Sequence, residues 1–394
     1  MGKFINFCAG VHLEVMPGKS VEAILVNAAQ GGTSGTIRDT IDLLQSSGAV
    51  YKACDSGGFQ VLEAERGGKE ISFDRTRPLE CSKTTINITP WHVVNVFRAI
   101  SRKVGLDMGV ALDFPIQKVS SPEDQEKEFL SKLGYNAAWA VQTAEFRKKV
   151  CPEVPLFIPV QCFDLNQFDL FHKFISGIEF DGFSMPLRNL GMREIASFLA
   201  RFHDLGVNRV HLLGTTAFKS IALAAYMARH FFDWVSVDAT TWRMCAEYSV
   251  YLNPHDLSSE SLNQDIIIHD NIQNDCPCPF CKGKSFGHIK NMTFTERTHF
   301  LGCHNFWVTD NACKEAYQNS GNLFTLEKFL KAKCSKLYMI DEVLDAIAWF
   351  HLLIDSGKEM KKQPLACNEN PASMGLLRNR DAEGGKSELY SRPN

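Results

Sequence analysis

No stretch of this 394-residue sequence is apolar for long enough to cross a bilayer as a helix, so a helical membrane protein is excluded. The run Met1-Gly2-Lys3-Phe4-Ile5-Asn6 lacks the apolar core of a secretory leader, and Asn6 stands where the myristoylation pattern wants Ser or Thr. The expected compartment is therefore the cytoplasm. An excess of charge of either sign is also missing: 42 Lys and Arg stand against 45 Asp and Glu, a formal net charge of -3. That excludes a protein that coats nucleic acid through charge alone, since such binding draws on counterions released by many basic contacts. A local basic groove stays open, because Arg66, Lys69, Arg75 and Arg77 cluster, whereas Lys358, Lys361, Lys362, Arg378 and Arg380 read as a solvated charged face. No Gly-x-Gly-x-x-Gly loop follows an apolar run; Gly57-Gly58 and Gly67-Gly68 are isolated pairs, which argues against an open dinucleotide-binding sheet.

Cysteine, by contrast, is present in number. Thirteen residues, an odd count scattered without a leader, point to reduced thiols and a metal site rather than a disulfide framework. Cys276, Cys278 and Cys281 form a Cys-x-Cys-x-x-Cys cluster separated only by Pro277, Pro279 and Phe280, too tight a loop to bury three thiols for packing alone. Three thiolates and an imidazole close a tetrahedral shell around zinc. His288, His299 and His304 all lie downstream; His304 fits best, because the apolar, helix-like stretch around it would hold the ring firmly. The expected cofactor is a structural Zn2+ in a closed shell.

Short apolar runs recur, each ending in a polar residue and followed by a helical stretch: Val50 to Ala53 before Asp55, Met108 to Leu112 before Asp113, Phe157 to Val160 before Gln161, Val210 to Leu213 before Gly214, and Trp234 to Val237 before Asp238. Continuous apolar character suits strands buried on both faces. Between them, Asp124 to Lys149, Met192 to Leu205 and Ala217 to Phe232 carry apolar residues at helical spacing. This βαβ rhythm predicts a parallel sheet, and polar residues at the carboxyl ends of successive strands predict one mouth of a closed barrel. The expected fold is α/β, a (β/α)8 TIM-type barrel with a zinc-binding subdomain near the carboxyl end. The expected division is 1–320 for the barrel, including the zinc subdomain at 270–320, then 321–355 for helices packing on it, and 356–394 for a disordered tail. Residues up to about 45 are expected to hold capping elements and the first strand.

Asp55-Ser56-Gly57-Gly58-Phe59-Gln60-Val61 carries the second conspicuous pattern. Two glycines let the backbone approach a flat ligand; an acid and a hydroxyl precede them, and an aromatic ring and a carboxamide follow, a set that can stack on and hydrogen-bond a heterocycle. Asp55 alone would read as a cap or turn residue. Together with Asp113, Gln161 and Asp238 at other strand ends it reads as a site.

The order of these motifs resembles the queuine and archaeosine tRNA-guanine transglycosylases. The likeness rests on Asp55 to Gln60, Pro159-Val160-Gln161, Phe180-Asp181-Gly182-Phe183, His211-Leu212-Leu213-Gly214, Asp238 and the Cys276, Cys278, Cys281, His304 set. It implies that Asp238 is the nucleophile that holds the sugar covalently while bases exchange, and that Asp55 is the acid and base serving the departing and incoming purines. It further implies that Asp113 accepts from the guanine ring NH and amino group, that Gln161 faces the carbonyl, that Phe59 stacks on the heterocycle, and that Ser56 and Gly214 contact the base. For Asp113 a cap before Pro115, and for Gln161 a purely structural amide, stay open as alternatives.

The departures from that pattern are informative. Where tRNA-acting members have a Pro-Thr-Arg-x-Gly-Arg type of run after the nucleophile, this chain reads Ala239-Thr240-Thr241-Trp242-Arg243-Met244, and Pro186, Leu187 and Arg188 stand where recognition glycines are expected. The chain is in this respect similar to the DNA-acting branch of the family, which replaces guanine in DNA with a 7-deazaguanine. That implies DNA and a free 7-deazaguanine base such as 7-cyano-7-deazaguanine as partners, with helper proteins for DNA opening, since the target base must leave the duplex. Trp242 and Arg243 are candidates for stacking and phosphate contact, with a core tryptophan and a surface arginine as the plain alternative. tRNA as the polymer, and a non-catalytic partner subunit built on the same barrel, are the competing expectations.

Overall fold

In the computed structural model the apolar runs become strands of one closed ring. The structure describes residues 2–9, 21–29, 37–67, 79–81, 84–86, 88–187, 190–214, 217–238, 240–262, 275–334 and 336–362, with backbone alone at 79–86 and 357–362. Strands β1 (Lys3–Ala9), β2 (Ala23–Asn27) and β3 (Tyr51–Asp55) come first, and a short antiparallel ribbon, β4 (Leu79–Cys81) and β5 (Thr84–Ile86), intervenes. β6 (Met108–Val110), β7 (Leu156–Pro159), β8 (Gly182–Pro186), β9 (Arg209–Leu213) and β10 (Trp234–Asp238) follow. The ring runs β1-β10-β9-β8-β7-β6-β3-β2, every pairing parallel, and β10 closes on β1 with Phe7 opposite Asp238. The (β/α)8 barrel expected from the rhythm is what the chain forms.

The intervening helices are α1 (Ile37–Ser46), α2 (Gly58–Arg66), α3 (Pro90–Val104), α4 (Pro122–Val150), α5 (Leu165–Phe174), α6 (Met192–Asp204), α7 (Phe218–His230) and α8 (Thr241–Glu247). Their ends follow local chemistry. For α4, Ser121 caps the start by accepting from Asp124 N at 3.1 Å, Pro122 fits the first turn, and Arg147, Lys148 and Lys149 close the negative end of the helix dipole. The sequence predicts this helix over Asp124 to Lys149, and the cap adds the first two residues.

Alternation along each strand separates two cores. Val26, Cys54, Ile158, Phe183, Met185, Val210, Leu212, Val235 and Val237 face the helix layer, whereas Ile5, Phe7, Ala23, Leu25, Ala53, Met108, Val110, Phe157 and Trp234 fill the barrel. The inward series Ala23-Leu25-Asn27, Tyr51-Ala53-Asp55 and Trp234-Ser236-Asp238 each end in a polar residue at the same mouth. The Phe180 to Phe183 run belongs to the other end and is structural. Asp181 accepts from Leu156 N at 2.8 Å and pairs with Arg147, and a Cβ on Gly182 would lie 2.6 Å from Arg209 O.

Among the described residues the segment before residue 45 holds two strands, where one was expected, and most of α1; no apolar run with helical spacing stands between β1 and β2 in the sequence as a guide. After the barrel, β11 (Val250–Leu252), β12 (Ser259–Ser261), α9 (Phe286–Lys290) and α10 (Phe294–Asn319) form the cysteine-bearing subdomain. α11 (Leu323–Lys333) and α12 (Leu337–Lys362) complete the described chain. Phe329 packs on Phe218, Phe350 on Phe231, and Asp345 takes both guanidinium donors of Arg193. Met1–Ile354 forms one compact unit. The helix continues to Lys362, into the stretch expected to be disordered; residues 363–394 of that expected tail lie outside the described residues.

Candidate active site and metal centre

Asp55 and Asp238 end the inward series of β3 and β10, strands three steps apart around the ring, so their carboxylates look into the mouth from facing walls. Asp113 enters from the loop after β6 and Gln161 from the loop after β7. Asp113 is buried, yet it receives two donors: Gln161 Nε2 at 2.6 Å on Oδ2 and Ser56 Oγ at 3.3 Å on Oδ1. Gln161 Oε1 in turn accepts from Ile116 N at 3.3 Å, so both ends of this amide are engaged in orienting Asp113 and its loop. Asn136, also buried, bonds both the N–H and the C=O of Phe114 at 2.7 and 3.0 Å and pins the same loop.

The glycines of the Asp55 motif are needed by this geometry. Gly57 has φ of +100°, a conformation side chains rarely adopt, and a Cβ on Gly58 would lie 2.0 Å from Asp113 Oδ1. α2 therefore starts with its backbone against the Asp113 carboxylate. Phe59, in the first turn, is half exposed, and its ring is accessible for stacking.

The three acids are electrostatically one system. Burial raises Asp55 to about 6, and the Asp238 charge adds to the effect while the Ser56 and Gly57 N–H groups oppose it. Burial raises Asp113 to about 7, reinforced by Asp55 and opposed by Gln161 and Ser56. Burial also raises Asp238 to about 6, opposed by the Gly214 N–H. Near neutral pH such a set holds both ionised and protonated carboxyls, which is what paired nucleophilic and acid/base chemistry requires. Asp238 keeps 16% of its side chain exposed and so remains open to a substrate.

Gly214, Trp242 and Arg243 each meet a partner within the protein. Gly214, at φ +75°, donates its N–H to Asp238 Oδ1 at 2.9 Å. Trp242 is fully buried against Phe306, and Arg243 pairs with Glu247 at 2.9 Å. The plain alternative for these two is the one the fold adopts, because α8 packs its inner face against α10.

The sequence reading missed Asn27 and the role of His211. Asn27 Nδ2 lies 3.4 Å from Asp55 Oδ2 and 3.3 Å from Gln60 Oε1, and Asn27 Oδ1 accepts from Ala29 N. The inward alternation Ala23-Leu25-Asn27 is the signal that would have found it. His211 is fully buried beneath Asp238, with Nε2 3.5 Å from Oδ1 and Nδ1 2.9 Å from Ser236 Oγ.

The cysteine cluster is equally well defined. Cys276, Cys278, Cys281 and His304 are all buried, with ligand atoms within 4.8 Å of one another, a group that can hold a metal ion. His304 Nδ1 lies 3.7, 3.3 and 3.3 Å from the three sulfurs. A tetrahedral zinc with S and N ligands requires about 3.5 Å between them, so the donor set fits. Cys278 N and Cys281 N donate to sulfurs at 3.4 and 3.3 Å, and Leu252 O takes His304 Nε2 at 2.8 Å, which leaves Nδ1 as the ligand atom. Tyr251 stacks on the imidazole at 4.0 Å. Of the three candidate histidines the structure brings His304 to the sulfurs.

At the opposite end of the barrel a pocket of about 330 Å³ opens beside the starts of β1 and β2. Of its charged groups, Lys314 lies 2.8 Å from Asp310 and 3.4 Å from Glu22, and Lys3 lies over the Tyr51 ring at 5.0 Å. Among the described residues no helix is long and apolar enough to cross a membrane. Neither protein-family models nor curated proteins give a match to this chain.

Proposed function

We propose that this chain is a base-exchange transglycosylase that replaces guanine in DNA with a 7-deazaguanine such as 7-cyano-7-deazaguanine. The observation that carries the reading is the facing pair Asp55 and Asp238 at one mouth, each raised by burial to about 6, with the Asp238 charge adding to the rise at Asp55. In this reading a carboxylate oxygen of Asp238 bonds to C1′ of the target nucleotide as the bond from C1′ to guanine N9 breaks, and Asp55 supplies the proton that the leaving nitrogen takes up. The incoming base then gives its N9 proton to Asp55, N9 bonds to C1′, and Asp238 leaves as the carboxylate. No water enters, so the strand is never cut from its sugar.

Asp113, held by Gln161 and Ser56, faces the base edge, and the exposed ring of Phe59 supplies the stacking surface. Gln161 acts in this reading through Asp113. The metal is a structural Zn2+, held by Cys276, Cys278, Cys281 and His304 in a shell whose four positions are all protein ligands. Free thiols through the described chain suit a reducing compartment, the cytoplasm. The target base must be flipped out or met unpaired, with helper proteins opening the duplex. DNA is favoured over tRNA because the residues after Asp238, where tRNA-acting relatives grip their polymer, are here a core tryptophan and an ion-paired arginine.

The decisive assay offers labelled guanine with duplex DNA, single-stranded DNA or tRNA, and follows which polymer takes the label. Label in DNA, with a covalent DNA adduct on wild-type protein and none on Asp238→Ala, supports the reading. Label in tRNA alone transfers the proposal to the tRNA-acting class, and label in no polymer, with no adduct, overturns the catalytic reading in favour of a partner subunit.

A further inference from the structure

We propose that His211 is a positioning residue for Asp238: with the Gly214 N–H it engages Oδ1 and leaves Oδ2 as the oxygen that bonds the sugar. This rests on Asp238 being the nucleophile. Four observations assemble the device. Gly214 N donates to Oδ1 at 2.9 Å, and His211 Nε2 stands 3.5 Å from the same oxygen. Nδ1 of the ring is 2.9 Å from Ser236 Oγ, and that oxygen accepts the Trp234 indole N–H at 3.0 Å. Trp234, Ser236 and Asp238 are the inward series of β10, and His211 pairs in register with Ser236, so the whole relay is built on two adjacent strands. Finally, His211 Nε2 is buried and makes no hydrogen bond in this structure, so the Asp238 oxygen 3.5 Å away is the acceptor that a small approach of the two side chains would give its N–H.

The chemistry of the relay follows from donor counting. Ser236 Oγ accepts from Trp234 and has one hydrogen of its own, which it can donate to His211 Nδ1; in that tautomer the ring proton sits on Nε2, on the side of Oδ1. Burial lowers His211 to about 3, so the ring stays neutral wherever Asp238 is ionised. A neutral dipole orients the carboxylate without quenching its charge, as an imidazolium would. The groups facing Asp238 are then Asp55 from β3, His211 from β9, the Gly214 N–H just after it, and the apolar Phe7 from β1, whose ring meets the imidazole edge-on at 5.9 Å.

The test uses the full-length protein in the labelled-guanine assay with whichever polymer takes the label. His211→Phe keeps volume and removes the donor; kcat falls about 10- to 100-fold, with KM for the free base changed less than about twofold. Removing a donor from the ionised form raises the Asp238 pKa, so the acid limb of kcat moves to higher pH. His211→Gln, whose amide nitrogen reaches the position of Nε2, restores most of kcat. Ser236→Ala, a smaller change that frees Nδ1, shifts the limb in the same direction and keeps the question answerable if His211→Phe does not fold. A His211→Phe protein with wild-type kcat and an unmoved acid limb, or a His211→Gln protein as poor as His211→Phe, overturns the role. Exchange that survives in Asp238→Ala instead overturns the nucleophile itself, and with it the function proposed above.

Discussion

The two polar clusters of this molecule follow opposite rules. At the barrel mouth three carboxylates are gathered in a buried space, and the partners they have are amides, a hydroxyl and a neutral imidazole, so their pKa values rise to about 6 or 7. At the cysteine cluster the acidic groups are turned onto one point, with backbone N–H groups on the sulfurs and a carbonyl fixing the imidazole. The first cluster keeps carboxylates destabilised by burial, as the proposed reaction would require; the second is complete within the protein once a cation sits at its centre. In the proposed reading the first carries the chemistry and the second frames it. The frame also reaches the mouth: Asn305, next to His304, bonds the backbone at Trp242, Val250 and Leu252, and so holds the chain that leaves Asp238.

The comparison breaks first, and hardest, at Asp238. Asp238→Asn is expected to lower labelled-guanine incorporation by at least about 10³-fold, with no fall in thermal stability, because a neutral isostere relieves a buried charge. A parallel loss of stability would mean that the mouth is framing after all. The metal centre should respond the other way. Cys278→Ser, or a strong chelator, is expected to lower stability by several kcal/mol. Hydrogen exchange should rise first from about 275 to 319 and reach the loop after Asp238 through Asn305, while the barrel strands stay protected. Zinc content near one per chain, measured on the untreated protein, accompanies this outcome; absence of metal would sink it. Gly58→Ala comes next. The new Cβ would lie 2.0 Å from Asp113 Oδ1, so the carboxylate must move, raising KM for the free base about 10-fold and lowering stability by about 1–3 kcal/mol.

How much of this was legible in the sequence depends on the range over which each signal acts. Strands β3, β6, β7, β9 and β10 and helices α4, α6 and α7 were readable because buried parallel strands are apolar runs and helices repeat at short period, both local patterns. β1 and β2 were not read as two strands, since without a helical pattern between them in the sequence the βα rhythm is lost. The metal ligands were legible because three of them lie within six residues. Asn27 was not, because its meaning lies in facing Asp55 across a strand pairing, and only the register brings the two together. The bond from the Gly214 N–H to Asp238 was not legible either, because a backbone N–H declares no direction in sequence. Trp242 offered an aromatic ring at a suggestive place, and packing against α10 decided it.

The smallest expected effect sharpens the comparison most, because it isolates charge from shape. In Asp113→Asn the amide oxygen can still accept from Gln161 Nε2 and the amide nitrogen can donate to Ser56 Oγ, so both hydrogen bonds at the carboxyl survive in altered form. What changes is ionisation. Asp113 is raised to about 7 in the folded protein, above the ordinary 3.8 that it recovers on unfolding, so the folded state binds its proton more tightly. The destabilisation is therefore full above about pH 7 and shrinks as pH falls through that value toward 3.8. The variant should be more stable than wild type by about 1–2 kcal/mol at pH 8, with the advantage shrinking toward pH 5, as thermal melts at the two pH values would read. An equal advantage at both pH values would point to packing rather than charge, and a loss of stability at pH 8 would mean that Asp113 is held as comfortably as the sulfurs are.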